Sequence, residues 1–329
     1  MEWHNLFKSI FFSNWRKAGL PDHNEFLSPY YLMLEQRDQP IVWIENSNGI
    51  DHSRLYDVYG FGATVGKLLG VMLGLTAEQI KQSADWCGRF NLGISLFDYI
   101  SDELDAVQSV SSLTVFKAFQ QEESALTNPS SSAEELMSNL AASVLQDVSN
   151  LALNHGDTLM HAMKDMFAAE AFIATTNLTA YPDLKKIEKA LYLKSAAPFK
   201  AMAEYSACIK MPNDDLLHAN AAEIGNALGQ CYWMIDDAKD VWDDLKDGQW
   251  NLFFKLAAEK DPQILSEPGN KNTATRLLHC WEEEGHAEKV SIETIARLQN
   301  AISKLGLKEN EKNHSLGIIA ASLWQWYHS

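Results

Sequence analysis

The sequence predicts an all-α chain, a helical bundle around an apolar interior, and three observations carry that prediction. Apolar residues recur every third or fourth position through most of the 329 residues, the period of a helix with one buried face. Turn-forming clusters punctuate these runs at Asn128-Pro129-Ser130, Tyr181-Pro182-Asp183, Met211-Pro212-Asn213 and Glu267-Pro268-Gly269. Alternating strand patterns are scarce, the best being the short PIVWI, Pro40–Ile44.

Taken in order, the periodic segments begin with Ala77–Leu104, which Thr76 opens with Gln79 three residues on, in the manner of a capping box. Ser132 and Glu135 repeat that pattern ahead of the long run Ser132–Thr176. Leu184–Ile209 and His218–Leu245 follow with the same spacing. There is no internal repeat and no interdomain linker, so residues 1–329 read as a single domain of roughly ten or more helices joined by short connections.

Composition narrows the functions. A net charge of −17 disfavours nucleic acid or an anionic membrane surface as a partner. Only six arginines occur, so an anionic substrate needs positive charge from elsewhere, and metal ions are the obvious source. No window approaches ~18 uninterrupted apolar residues, so no membrane span is expected. The first twenty residues, broken by Lys8 and Asn14, show no small-residue cleavage site, so no export signal is expected. Cys87, Cys208, Cys231 and Cys280 lack paired spacing and fall in helix-like runs. Buried reduced thiols in a cytoplasmic setting are the expectation.

The chemistry concentrates in two acidic clusters. CYWMIDDAKDVWDD, Cys231–Asp244, sets five aspartates directly after an apolar run. On a helix, Asp236 and Asp240 share a face, and Asp237 lies about 100° round from Asp236. Carboxylates so placed suit magnesium, which takes one or two of them and fills its shell with water and phosphate oxygens. A calcium loop fits poorly, lacking glycine at the sixth position. A solvated acidic helix end is the plain alternative for one such cluster. NLGISLFDYISDELD, Asn91–Asp105, repeats the design with Asp98, Asp102 and Asp105 on one face. Two facing helices of this kind build a metal site inside a bundle.

With both clusters in view, the chain resembles the class I isoprenoid synthase superfamily, closest in layout to the trans-isoprenyl diphosphate synthases. IDDAKD (Ile235–Asp240) matches the second DDxxD motif without a gap, and FDYISD (Phe97–Asp102) matches the first loosely, as DxxxD. YLKSAAPF (Tyr192–Phe199) resembles the Lys-Thr segment that binds the allylic diphosphate. The likeness spans about residues 56–255. It implies an isoprenoid-synthase-type bundle around a deep apolar cavity, possession of magnesium (three ions once diphosphate is bound), a prenyl diphosphate as substrate, and it allows a homodimer. It assigns the metal to Asp98, Asp102, Asp236, Asp237 and Asp240, and diphosphate contact to Lys194, with Lys200 and Lys255 as further donors. Phe90, Gly93, Ile94, Phe97 and Trp233 are the expected substrate contacts. Phe90 lies two turns and about 12 Å below Asp98, a floor suited to a ten- to fifteen-carbon chain, or twenty if the ring turns aside.

Departures from the family pattern shape the expected activity. Where chain elongators carry GGKR this chain reads GIDHSRLYD (Gly49–Asp57), with Arg54 as a remnant, and no arginine follows the first motif in LDAVQSVSSL. Trp233 stands where a glutamine is expected three residues before DDxxD. The resemblance therefore implies ionisation of one allylic C10–C20 diphosphate, followed by cyclisation or rearrangement as in a terpene synthase. Transfer to a non-isopentenyl acceptor and ordinary chain elongation are the enzymatic alternatives. A non-catalytic subunit of a heteromeric synthase is the alternative of another class. KDGQWNLFFK (Lys246–Lys255) is expected to close the site, and SLWQWYHS (Ser322–Ser329) to dock by its aromatics or to cap the cavity.

Overall fold

A computed structural model describes residues 3–35, 52–103, 153–180, 183–265, 271–283 and 285–327. Among the described residues are twelve α-helices and no strand, so the all-α expectation holds. They are α1 (Trp3–Lys17), α2 (Leu27–Glu35), α3 (His52–Met72), α4 (Ala77–Glu103), α5 (Leu153–Ala174) and α6 (Leu184–Ser195), followed by α7 (Ala197–Lys210), α8 (Asp215–Asp247), α9 (Leu252–Lys260), α10 (Lys271–Leu278), α11 (His286–Ser303) and α12 (Glu309–Trp326). The PIVWI segment and the Ser132–Glu135 pair lie outside the described residues.

Local chemistry sets the helix ends. Thr76 and Gln79 form the expected reciprocal cap on α4: Thr76 N donates to Gln79 Oε1 at 3.0 Å and Gln79 N to Thr76 Oγ1 at 3.3 Å. Asp183, Asp214 and Asn251 each accept a backbone N–H at the start of α6, α8 and α9, satisfying donors that a helix start leaves unpaired. Gly248 ends α8 at φ 74°, a left-handed cap that costs glycine little. Between its caps α8 runs 33 residues, about 50 Å at ~1.5 Å per residue.

Two antiparallel pairs, α3 with α4 and α7 with α8, frame the interior. The second pair approaches very closely. A Cβ on Gly225 or Gly229 of α8 would collide with the Phe199 carbonyl of α7 or the Ala196 carbonyl just before it, so glycine there lets the two backbones touch. Ser83 Oγ of α4 joins Ser206 Oγ of α7 at 2.7 Å and donates to Gly66 O of α3 at 3.1 Å. A buried polar triad thus locks three helices together without leaving a hydroxyl unsatisfied.

The terminal segments that carried no motif are anchored by aromatics. Trp3 and Phe7 of α1 pack on Phe253 and Trp281, and Trp281 Nε1 donates to Phe253 O at 2.9 Å. Helix α12 runs parallel to α8, its Trp324 stacked on His23 at 3.9 Å, with Lys8 Nζ 3.9 Å from the Trp324 ring centroid. All four cysteines are unpaired by disulfides and buried, as expected. Burial pushes the thiols of Cys87, Cys208 and Cys231 up to about 12. No helix among the described residues is long and apolar enough to cross a membrane.

Candidate active site

Helices α3 to α8, together with α2 and α12, line a half-open cavity of about 480 Å³. Its apolar wall is a cluster of rings. Tyr232 stacks on Phe199 at 4.9 Å and 10°, Phe61 meets Tyr232 edge-on at 5.1 Å, and Trp326 leans on Phe61 at 4.5 Å. Such contacts fix ring orientations, each adding about 0.5–1.5 kcal/mol beyond burial. A cation held against these faces would gain about 2 kcal/mol or more once desolvated.

The acidic end of α8 stands at this wall. Asp236 lines the cavity, and Asp240 lies one turn further along the same face. Burial, then the neighbouring Asp240 charge, pushes the Asp236 carboxyl up to about 6; Trp326, Lys239 and Lys194 pull the other way. Burial also raises Asp240. Asp237 has a different occupation from the metal ligation expected of it. Its Oδ2 accepts Trp233 Nε1 at 2.8 Å and Leu252 N at 2.6 Å, so it pins the start of α9. Asp244 acts likewise, accepting Asn251 Nδ2 at 2.9 Å, and burial pushes its carboxyl up to about 7. The KDGQWNLFFK segment is therefore held by two aspartates of the acidic run itself.

These shifts carry a pH prediction. A carboxyl raised above its ordinary 3.8 keeps a proton in the folded chain where the unfolded chain has lost it. The stability it contributes is full below pH ~3.8 and is lost as pH rises through the folded value. For Asp244 that loss runs to about pH 7. Urea unfolding of the metal-free protein between about pH 5 and about pH 8 is expected to show wild type losing more stability than Asp244→Asn. Equal losses would contradict the assignment.

Among the lysines, only Lys194 of the three expected donors lines the cavity, and its Nζ lies 2.8 Å from Glu170 Oε1, itself buried in the wall. Lys200 pairs with Glu204 at 3.6 Å, outside the cavity lining. Lys255 is buried between Glu188 (3.1 Å) and Glu259 (2.9 Å), clamping α9 to α6. From the α4 side Ile94 lines the cavity, while a Cβ at Gly93 would meet open space. Phe90 is not a floor to this cavity. It is 2% exposed and stacked on Trp86 at 4.8 Å within the core. Phe97, Asp98 and Asp102 fall in the last turns of α4, but their side chains, like that of Arg54, lie outside the described part.

No family model matches the chain, and no curated protein matches it. Solved structures do. Geranylgeranyl pyrophosphate synthase from Lactobacillus brevis superposes with a TM-score of 0.61 at 15% identity, over 94% of this chain and 98% of that one. A polyprenyl synthase from Caulobacter crescentus, complexed with calcium and isoprenyl diphosphate, gives 0.57 at 13% identity over 95% and 97%. Linalool/nerolidol synthase from Streptomyces clavuligerus gives 0.52 at 14% identity over 94% and 97%. The chain has the isoprenoid-synthase fold.

An isoprenoid-synthase fold raises the question of magnesium, and the donor chemistry on α8 fits it. Asp236 and Asp240 offer two hard carboxylates one turn apart, in surroundings that penalise their negative charge until a cation arrives. Among the described residues no three His, Cys, Asp or Glu side chains group closely enough to hold a metal. A magnesium ion here would complete its shell with water and diphosphate oxygens, as that ion commonly does.

Within the isoprenoid-synthase fold several wall residues had no marker in the sequence. Phe61 and Glu170 belong to no motif, and Phe199 closes the YLKSAAPF segment with no role of its own assigned there. The SLWQW tail was the one available signal. It docks by aromatics and also reaches the cavity, so both expectations for it describe one helix.

Proposed function

We propose that this protein is a magnesium-dependent enzyme that ionises one allylic prenyl diphosphate of ten to twenty carbons and lets the carbocation cyclise or rearrange. The observation that carries this is the placement of Asp236 and Lys194 on the wall of one aromatic-lined cavity. Bound magnesium would supply Lewis-acid stabilisation of the departing diphosphate. Asp236 and Asp240 of α8, with Asp98 and Asp102 of α4, would hold it. Lys194 would reach the diphosphate as a point charge, exchanging its Glu170 contact for phosphate oxygens. Phe61, Phe199, Tyr232 and Trp326 would present ring faces to the cation and exclude water from it.

Trp233 supports a reaction other than elongation. Its ring lines the cavity and its N–H is committed to Asp237, so the position offers no polar amide to a substrate. The cations missing upstream of and just after the first motif agree, because a second diphosphate bound without metal needs fixed cations. Elongation is the second reading, favoured by the similar structures, several of which are prenyl diphosphate synthases. Transfer to another acceptor uses the same first step.

Incubation with geranyl, farnesyl or geranylgeranyl diphosphate and Mg²⁺, with and without isopentenyl diphosphate, separates these outcomes by product. Terpene hydrocarbons or alcohols formed without isopentenyl diphosphate are the expected result. Longer diphosphates formed only in its presence would establish elongation instead. Turnover only on mixing with a second chain would make this a partner subunit.

A further inference from the structure

The C-terminal helix does more than close the wall. Helix α12 runs in register with α8, so that Tyr232 meets Ser322 and, one turn on, Asp236 meets Trp326. Trp326 Nε1 donates to Asp236 Oδ1 at 3.0 Å. An indole N–H is a donor only and cannot itself coordinate a cation. Holding Oδ1 fixes the carboxylate plane and leaves Oδ2 as the edge for a metal. Three contacts hold that N–H in place: the Trp326 ring leans on Phe61 at 4.5 Å, Tyr31 Oη donates to Gln325 Oε1 at 2.6 Å, and the Tyr327 hydroxyl donates to His4 O.

We infer that Trp326 is a positioning residue for the metal site, orienting Asp236 through its indole N–H so that cation affinity depends on the seating of α12. This rests on the proposed function, in which Asp236 is a metal ligand. Carboxylates that bind metals are themselves hydrogen-bonded, and loss of such a partner typically weakens binding about 10–100-fold. The same side chain is part of the cavity wall. One residue of the last helix therefore ties the cation site to the chamber for the prenyl chain.

The test is titration of Mn²⁺, a magnesium substitute whose free form is read by electron paramagnetic resonance, in the presence of inorganic diphosphate. Trp326→Phe keeps an aromatic ring on this side of Phe61 while removing the N–H donor. It is expected to raise the Mn²⁺ dissociation constant about tenfold or more. Trp326→His, which restores a ring N–H, is expected to recover part of that loss. Tyr31→Phe loosens the seating of α12 but keeps the indole donor, and is expected to raise the constant by less than Trp326→Phe does. Unchanged Mn²⁺ binding by Trp326→Phe overturns the inference, as does an equal loss in Tyr31→Phe, while leaving the proposed function in place. A wild-type chain that binds no Mn²⁺ with diphosphate overturns both.

Discussion

Asp236→Asn is expected to slow diphosphate release from an allylic prenyl diphosphate by about 10³-fold or more, because a metal's stabilisation of a leaving group is worth several kcal/mol and each ~1.4 kcal/mol is tenfold in rate. The substitution is nearly isosteric, and the amide oxygen still accepts from Trp326, so the loss is one of charge at the metal. The same change removes a carboxyl that burial has pushed up to about 6. Above that pH the metal-free variant is therefore expected to be at least as stable as wild type. Loss of turnover with retained or improved stability is the pattern of a functional site that costs the fold something. A variant that keeps wild-type turnover would show that Asp236 is not a ligand. The measurement is a phosphate-coupled diphosphate assay run beside a urea unfolding curve.

The second large effect lies in the core. Trp86→Ala is expected to destabilise the protein by about 3–5 kcal/mol, the usual cost of deleting a buried large aromatic. Trp86 is fully buried, sandwiched between Phe90 at 4.8 Å and Tyr205 at 4.0 Å and 9°. Its ring bridges α4 and α7 beneath the acidic end of α4. Removing it leaves a cavity in that layer and loosens the pair of helices that carries the wall. Denaturant unfolding gives the number. A loss below about 1 kcal/mol would show a site able to collapse or one open to solvent, as a pocket floor would be.

Much of the architecture was legible because helical periodicity and caps are local properties. The run from His218 to Leu245 declares its own helix, and its acids declare a face. What could not be read was the division of labour among like residues. In sequence, Asp236 and Asp237 are neighbours with identical side chains. A rotation of about 100° sends one to the cavity and the other to the first N–H of α9, that of Leu252. Lys255 was expected to add to Lys194 as a phosphate donor; both meet acids, Glu170 for Lys194 and Glu188 with Glu259 for Lys255, but only Lys194 of the two lines the cavity.

Phe90 failed as a floor for a related reason. Distance along a helix gives depth but not azimuth, and its ring turns toward Trp86 instead of the chamber. The remaining wall residues come from helices far apart in sequence. Glu170 and Trp326 are separated by more than a hundred positions and meet across one cavity only through packing. No local spacing encodes such a meeting. The C-terminal helix illustrates the point best, since its aromatics signalled docking but gave no sign of the acid that receives Trp326.

In the proposed function this cavity holds one allylic diphosphate through a divalent cation bound at the acidic end of α8. Calorimetric titration with an unreactive thiolodiphosphate analogue of farnesyl diphosphate, with Mg²⁺ and then with EDTA, tests it directly. The predicted result is saturable binding of one analogue per chain with Mg²⁺, abolished by EDTA and by Asp236→Asn. Binding that is indifferent to EDTA, or no binding under either condition, would contradict it.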